Sequence, residues 1–243
     1  VVCNVRMKYK TNFKPTEIHL SQIEKWLIEE MNKTGIGFYS NWNTITKAFE
    51  NNELIVITEN DFAIGFLVFN TSEVIIEIDI AELKPNYRNK GFGRKLIENT
   101  LSEFKKNGMM ICELFCSPEN SEPIWKSLGF ENFPDFPHNN KIRMFKSLVP
   151  SLKTTEPNEM SERIELWNME PHLAERNNPE WTWNIIFKEN SRELIKPIIH
   201  PTHYDWQLSW KIGTETKFKD KVKRYNPDRI EFGSFIVIKT LPN

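Results

Sequence analysis

Apolar and polar positions keep two rhythms along the first 148 residues. Leu20, Ile23, Leu27 and Met31 recur at intervals of three and four, the spacing of one helix face. Ser21 and Glu24 have the S-x-x-E form of a capping box, which predicts the helix start there, and Gly35 and Gly37 predict its end. A second short helix is expected over 41–50. LIVIT (54–58) and FAIGFLVF (62–69) are short apolar runs split by Glu-Asn-Asp, the pattern of a hairpin. VIIEIDIAEL (74–83) reads as a longer strand. Ile97, Leu101 and Phe104 mark another helix face; Lys105 and Lys106 suit its C-terminal end, and Gly108 its cap. MMICELFC (109–116), EPIWKSL (122–128) and IRMFKSL (142–148) follow as strand, short helix and strand, and CNVRMKY (3–9) reads as the first strand.

Beyond Leu148 the texture changes. Val149-Pro150-Ser151 and the polar KTTEPNEMSE (153–162) read as a linker, placed at 149–161. ERIELW, WTWNIIF, YDWQLSWKI and SFIVIKT then suggest strands, and Trp167, Trp181, Trp183, Trp206 and Trp210 fall among them. The chain is thus expected to hold one domain over 1–148 and a smaller strand-rich one over 162–243, each of a size that folds alone.

Composition narrows the class. Hydrophobic residues make up 39% and the formal net charge is −1, which fits a globular chain without a nucleic-acid or membrane signature. No apolar run approaches 18 residues, and VVCNVRMKYK lacks the apolar core of a signal peptide. Cys3, Cys112 and Cys116 are too few for a disulfide framework, so a cytoplasmic protein with free thiols is expected.

The stretch YRNKGFGRKL (87–96) raises the question of chemistry. The third glycine of a dinucleotide fingerprint is replaced by Leu96, and Gly91 and Gly93 stand too close for a Walker loop. A strand, a tight turn and a helix N-terminus remain, an arrangement that favours an anion such as a pyrophosphate. Arg88, Lys90, Arg94 and Lys95 can add charge at its rim. The alternative is a tight turn with a solvated basic face.

Arg88-Asn89-Lys90-Gly91-Phe92-Gly93 resembles the core of motif A in the GNAT superfamily of N-acetyltransferases, Arg/Gln-x-x-Gly-x-Gly/Ala. SPENSEPIWKSLGF (117–130) resembles its motif B, and the order of elements over 1–148 resembles the family's fold. The resemblance implies an α/β (α+β) domain with a mixed, mostly antiparallel sheet flanked by helices. It implies acetyl-CoA as co-substrate, no metal, and an amine acceptor. Backbone N–H groups from Arg88 to Arg94 (Arg88, Asn89, Lys90, Gly91, Phe92, Gly93, Arg94) would hold the pyrophosphate. Leu83 would pair with the pantetheine arm like an added strand and supply the oxyanion donor. The splay between strands 74–83 and 109–116 would admit the arm, with Ser121 and Trp125 along its far side.

Acetyl transfer to an amine needs a proton acceptor, because an amine of pKa about 10.4 is mostly protonated at neutral pH. Strand alternation puts Glu77 and Asp79 on one face and Glu82 on the other, unless a bulge intervenes. Glu77 stands eleven residues before Arg88, the position of the catalytic glutamate in the protein-lysine branch of that family. Asp79 is a candidate for binding a cationic substrate. Trp125 stands where many members carry a tyrosine that serves as general acid, and an indole N–H is a very poor acid. Ser121, Tyr87 and Tyr39 are the other candidates.

Three further signals have structural alternatives. His200-Pro-Thr-His203-Tyr-Asp205 resembles a metal cluster in composition but shows no fourth ligand. Cys112 and Cys116 would share one strand face, as core residues do. KFKDKVKRY (217–225) could track phosphates or pair with the acidic half of its own domain. There are nine Lys/Arg and five Asp/Glu from 194 to the end, against five and nine over 151–193. The reading is an N-acetyltransferase acting on a primary amine of a small molecule or protein. Its alternatives are an aminoacyl-tRNA acetyltransferase and a degenerate acyl-CoA- or partner-binding module. The second domain could wall the acceptor site, form a homodimer interface or bind a partner.

Overall fold

Asn60 and Asp61 both take positive φ (49° and 63°), the conformation of a two-residue hairpin turn. They join β2 (Leu54–Glu59) to β3 (Phe62–Ser72), neighbouring strands of the first sheet. The computed structural model describes residues 9–134, 141–225 and 234–242, and the chain divides into two units, Val1–Val149 and Pro150–Asn243.

In the first unit, β1 (Tyr9–Asn12) precedes α1 (Glu17–Thr34) and α2 (Trp42–Glu50). After the hairpin come β4 (Ile75–Leu83), α3 (Phe92–Lys106), β5 (Ile111–Phe115), α4 (Glu122–Ser127), β6 (Glu131–Asn132) and β7 (Arg143–Ser147). The sheet order is β1-β2-β3-β4-β5-β7-β6. Every pairing in it is antiparallel except β4 with β5. Residues 3–8 of the expected first strand lie outside the described residues. The α1 helix starts earlier than the Ser21 signal predicts. Thr16, after Pro15, is the N-cap, and its N–H donates to His19 Nδ1 (3.0 Å), so Ser21 lies inside the helix.

The sheet separates two apolar cores. On one face α3 lays Phe92, Leu96, Ile97 and Leu101 against Ile76, Ile78, Cys112 and Leu114. On the other, Ile23, Trp26 and Leu27 of α1 and Ile45 of α2 cover Val56, Phe66, Val68 and Ile80. Cys112 and Cys116 belong to the α3 core, both buried; burial pushes the Cys112 thiol well above its ordinary range.

Ile76 and Ile78 face α3, whereas Ile80 faces α1 and α2. An undisturbed strand would put all three on one side. The register explains the switch: Phe69 pairs with Ile78 and Val68 with Ile80, so Asp79 is an extra residue in β4.

The second unit contains β8 (Glu162–Leu166), α5 (Pro171–Ala174), β9 (Trp181–Asn184), β10 (Glu193–Pro201), β11 (Gln207–Ile212), β12 (Glu215–Lys221) and β13 (Phe235–Thr240). Four strands form a sheet in the order β12-β11-β8-β9, and β10 pairs with β13. All these pairings are antiparallel.

Candidate active site

The β4–β5 ladder has four pairs, from Ile75–Ile111 to Ile78–Leu114. Beyond Ile78, β4 keeps its β3 partner as far as Leu83 while β5 leaves. Lys84 N–H donates back to the Ile64 carbonyl of β3 (2.8 Å). Strand alternation therefore turns the N–H and C=O groups of Leu83 and Ala81 the other way, to the edge that β5 has left. An open strand edge of this kind accepts an extended partner.

Close packing fixes that edge. A Cβ added to Gly65 would lie 2.3 Å from Leu83 Cδ2 and 2.9 Å from the Glu82 carbonyl oxygen, so only glycine lets β3 approach here. On the other side, a Cβ at Gly93 would lie 3.6 Å from Leu83 Cδ1, so the first turn of α3 abuts the same leucine.

Gly91 caps α3 in the left-handed region (φ 83°), with nothing within 4 Å of where a Cβ would stand. Asn89 is also left-handed (φ 60°). The first helical bond runs from Lys95 N–H to the Gly91 carbonyl (3.1 Å), so the N–H groups of Phe92, Gly93 and Arg94 precede the ladder.

The basic side chains of this turn do not act alike. Arg88 points inward: Nη2 lies 2.7 Å from Glu30 Oε1 and 3.1 Å from Glu82 Oε1. Its Nε donates to the Leu83 carbonyl (3.0 Å). Arg94 Nη2 donates to Ser127 Oγ (2.9 Å) at the C-terminal end of α4. Lys90 lies over the Tyr87 ring and Lys95 over Tyr9 and Phe92. The expected charged rim therefore reduces to lysines and backbone donors, because the Arg88 guanidinium is committed elsewhere.

On the face opposite α3, Asn70 Nδ2 donates to Glu77 Oε2 (3.3 Å). Glu77 pairs with Glu113 on β5. Burial raises the Asp79 carboxyl above the usual carboxylate range, and the Glu77 charge adds to it. Glu113, absent from the sequence reading, is buried and receives Arg143 Nη2 at 2.6 Å. Burial raises its carboxyl too, more than Arg143 lowers it. Glu82 joins Glu77 on this face because of the extra residue at Asp79, contrary to the alternation expected from sequence. Its carboxyl is also raised by burial.

Glu77 and Leu83 are not brought together. Six residues at ~3.3 Å each put their Cα atoms roughly 20 Å apart, too far for Glu77 to serve a carbonyl held at Leu83 directly or through one water. Ala81, with its N–H on the same edge, lies two residues nearer.

Of the other proposed acids, Tyr87 and Ser121 have their hydroxyls engaged, and Tyr39 and Trp125 pack through their rings. The Tyr87 hydroxyl donates to Glu59 Oε2, which pushes its pKa up to about 12. Tyr39 stacks on Trp42. Ser121 Oγ donates to the Pro118 carbonyl (2.8 Å). Trp125 packs edge-on against Phe130, with ring centroids 5.3 Å apart.

Residues 19–130 match the model of the acetyltransferase (GNAT) family. The first unit carries a GNAT acetyltransferase domain. Solved structures similar to the chain include the PaiA N-acetyltransferase of Thermoplasma acidophilum in complex with coenzyme A, at 20% identity and a TM-score of 0.46, covering 58% of this chain and 99% of that one. The ribosomal-protein-S18-alanine N-acetyltransferase of Escherichia coli is similar at 16% identity and a TM-score of 0.46, over 59% and 96% of the two chains. A GNAT acetyltransferase of Bacillus cereus gives 15% identity and a TM-score of 0.47, over 59% and 99%. No curated protein matched the chain.

Outside the GNAT domain, the second unit's signals are held in structural contacts. Burial lowers His200 to about pH 4, and its ring packs on Trp181 and Trp183. Among the described residues no group of three or more His, Cys, Asp or Glu could hold a metal. In the basic stretch 217–225, Lys217 pairs with Glu215, Lys221 with Glu170 and Asp205, Lys223 with Asp205, and Arg224 with Asp220. Phe218 packs edge-on against Tyr225, so the stretch does not form an open stripe of cations and stacking rings. No described helix is long and apolar enough to cross a membrane.

Proposed function

We propose that the GNAT domain transfers acetyl from acetyl-CoA to a primary amine of a small molecule or protein, by direct attack. The observation that carries this reading is the parting of β4 from β5 after Ile78–Leu114, beside the first turn of α3. One edge thus offers donors and acceptors for an extended amide-bearing arm, next to helix N–H groups suited to a pyrophosphate.

Leu83 pairs with the pantetheine arm, and the N–H groups of Gly91, Phe92, Gly93 and Arg94 take the pyrophosphate, with Arg88, Asn89 and Lys90 shaping the turn. Ser121 and Trp125 lie along the far side. The oxyanion donor moves from Leu83 to Ala81, where Glu77 is nearer. Glu77 accepts the amine proton while the nitrogen bonds to the acetyl carbon. Asp79 attracts the cationic acceptor. The C–S bond then breaks and the thiolate leaves, protonated by solvent, because Tyr87 is too weak an acid and Trp125 has no acidic proton. This is a cytoplasmic enzyme whose second unit serves acceptor or partner recognition.

Calorimetric titration with acetyl-CoA tests the reading. Gly91→Glu and Gly91→Gln share the same backbone strain and similar bulk; the glutamate adds a negative charge where the pyrophosphate lies. Binding by the wild type, weakened at least about tenfold more by Glu than by Gln, is expected from one misplaced charge. A wild type that binds no acetyl-CoA would overturn the proposal.

A further inference from the structure

The open edge at Leu83 is not bare. Both of its main-chain groups are taken by neighbouring side chains. Its N–H donates to Glu82 Oε1 (2.7 Å), and its C=O accepts from Arg88 Nε (3.0 Å). The same two side chains hold each other: Arg88 Nη2 and Nε lie 3.1 and 3.2 Å from Glu82 Oε1. Glu30 of α1 anchors the pair through Oε1, 2.7 Å from Arg88 Nη2.

The anchor is incomplete. Glu30 Oε2 is buried without a hydrogen-bond partner among the described residues, and its side chain is only 8% exposed. A buried carboxylate oxygen without a donor costs free energy. The guanidinium could satisfy both Glu30 oxygens in a fork, but as it is held, with Nε on the Leu83 carbonyl and Nη2 shared with Glu82, it reaches only Oε1. Glu82 bears a similar cost, since it is largely removed from water beside the Glu30 charge.

We propose that Glu82 and Arg88 form a displaceable cap on Leu83, which the acyl-CoA arm replaces when it pairs with β4. The inference rests on the function proposed above. The arm's amide takes over the N–H and C=O of Leu83. Arg88 then turns fully to Glu30, and its Nε and Nη groups supply the missing donor. Occupation of the β4 edge is thereby coupled to α1, on the opposite face of the sheet from α3. The cap also protects an edge that would otherwise offer unpaired main-chain groups to any passing strand.

Two readouts on Glu82→Ala test the cap. The first is amide hydrogen exchange at Leu83 by NMR, in protein without acetyl-CoA. The second is calorimetric affinity for acetyl-CoA. Removing the carboxylate is expected to speed Leu83 exchange and to tighten acetyl-CoA binding about tenfold, the scale of one charge-assisted hydrogen bond. Glu82→Gln, which keeps an acceptor without the charge, gives a smaller change in the same direction and serves if the alanine variant does not fold. Unchanged Leu83 exchange, or faster exchange with equal or weaker acetyl-CoA binding, would overturn the cap. Absence of binding in all three proteins, even with faster Leu83 exchange, overturns the proposed function and the cap's role with it.

Discussion

Arg143 reaches from β7 to Glu113 on β5 and donates through Nη2 to Oε2 at 2.6 Å, its guanidinium lying over the Phe133 ring. The Glu113 side chain beneath it is 11% exposed. Taking away one partner of such a pair leaves a buried charge. Arg143→Met is therefore expected to destabilise the first unit by about 3 kcal/mol, and Arg143→Met with Glu113→Leu to recover most of that. Urea unfolding of the three proteins checks it, and equal midpoints for the single and double variants would remove the pair from the account.

Glu77 is the proposed proton acceptor. Glu77→Gln should lower kcat by about 10²–10⁴-fold, the range for loss of a general base, and leave acetyl-CoA affinity unchanged. Steady-state rates beside a calorimetric titration separate the two effects. A variant of near wild-type rate would move the role to another carboxylate.

Gly65 lies under Leu83. Gly65→Ala forces its methyl into the Leu83 side chain and the Glu82 carbonyl, with an expected cost of about 1–3 kcal/mol from overpacking. Leu83 belongs to the proposed pantetheine edge, so acetyl-CoA affinity should fall as well. A thermal melt and a titration on the same sample show whether the two losses travel together.

The two units should answer acid in opposite ways. Burial holds Asp79, Glu82 and Glu113 above the ordinary carboxylate range. Between their unfolded pKa of about 4 and these raised values the native first unit binds more protons than the unfolded chain. Their contribution to stability therefore falls as pH rises through that window and recovers as pH drops. Glu59 and Glu122, lowered by hydrogen bonds, act in the opposite sense within the same unit. In the second unit, hydrogen bonds from Lys223 and then Lys221 hold Asp205 at about 2. Its contribution is present above about pH 4 and is lost as pH falls toward 2. Tryptophan fluorescence, weighted to the second unit by Trp206 and its neighbours, should report acid unfolding that Asp205→Asn makes less steep. An acid transition indifferent to that substitution would remove Asp205 as its cause.

Much of the first unit was legible because its signals are local. The hairpin, the Leu20–Met31 helix stripe and the Gly91 turn each depend on residues close in sequence. The extra residue at Asp79 was not legible. It exists only relative to the count of partners on β3, and Glu82 changes face because of it. Glu113 and Arg143 stand thirty residues apart and meet only through strand pairing. In the second unit β10 was missed because Pro197 and Pro201 argue against a strand; its register with β13 is broken between Glu193 and Ile198. The strand β12 was missed because ETKFKDK reads first as charge. As an exposed edge strand it carries that charge where pairing with another chain would otherwise be favoured.

The extra residue in β4 makes one strand serve two masters. Before it, Ile76 and Ile78 belong to the core under α3; after it, Ile80 belongs to the core under α1 and α2. Delete Asp79 and Ile80 follows Ile78 directly, still opposite Val68, so strict alternation leaves each isoleucine in its own core and Ala81 and Leu83 on the edge that β5 leaves free. At position 79 the strand carries a spare residue, one that can be lost without moving a neighbour to the other face.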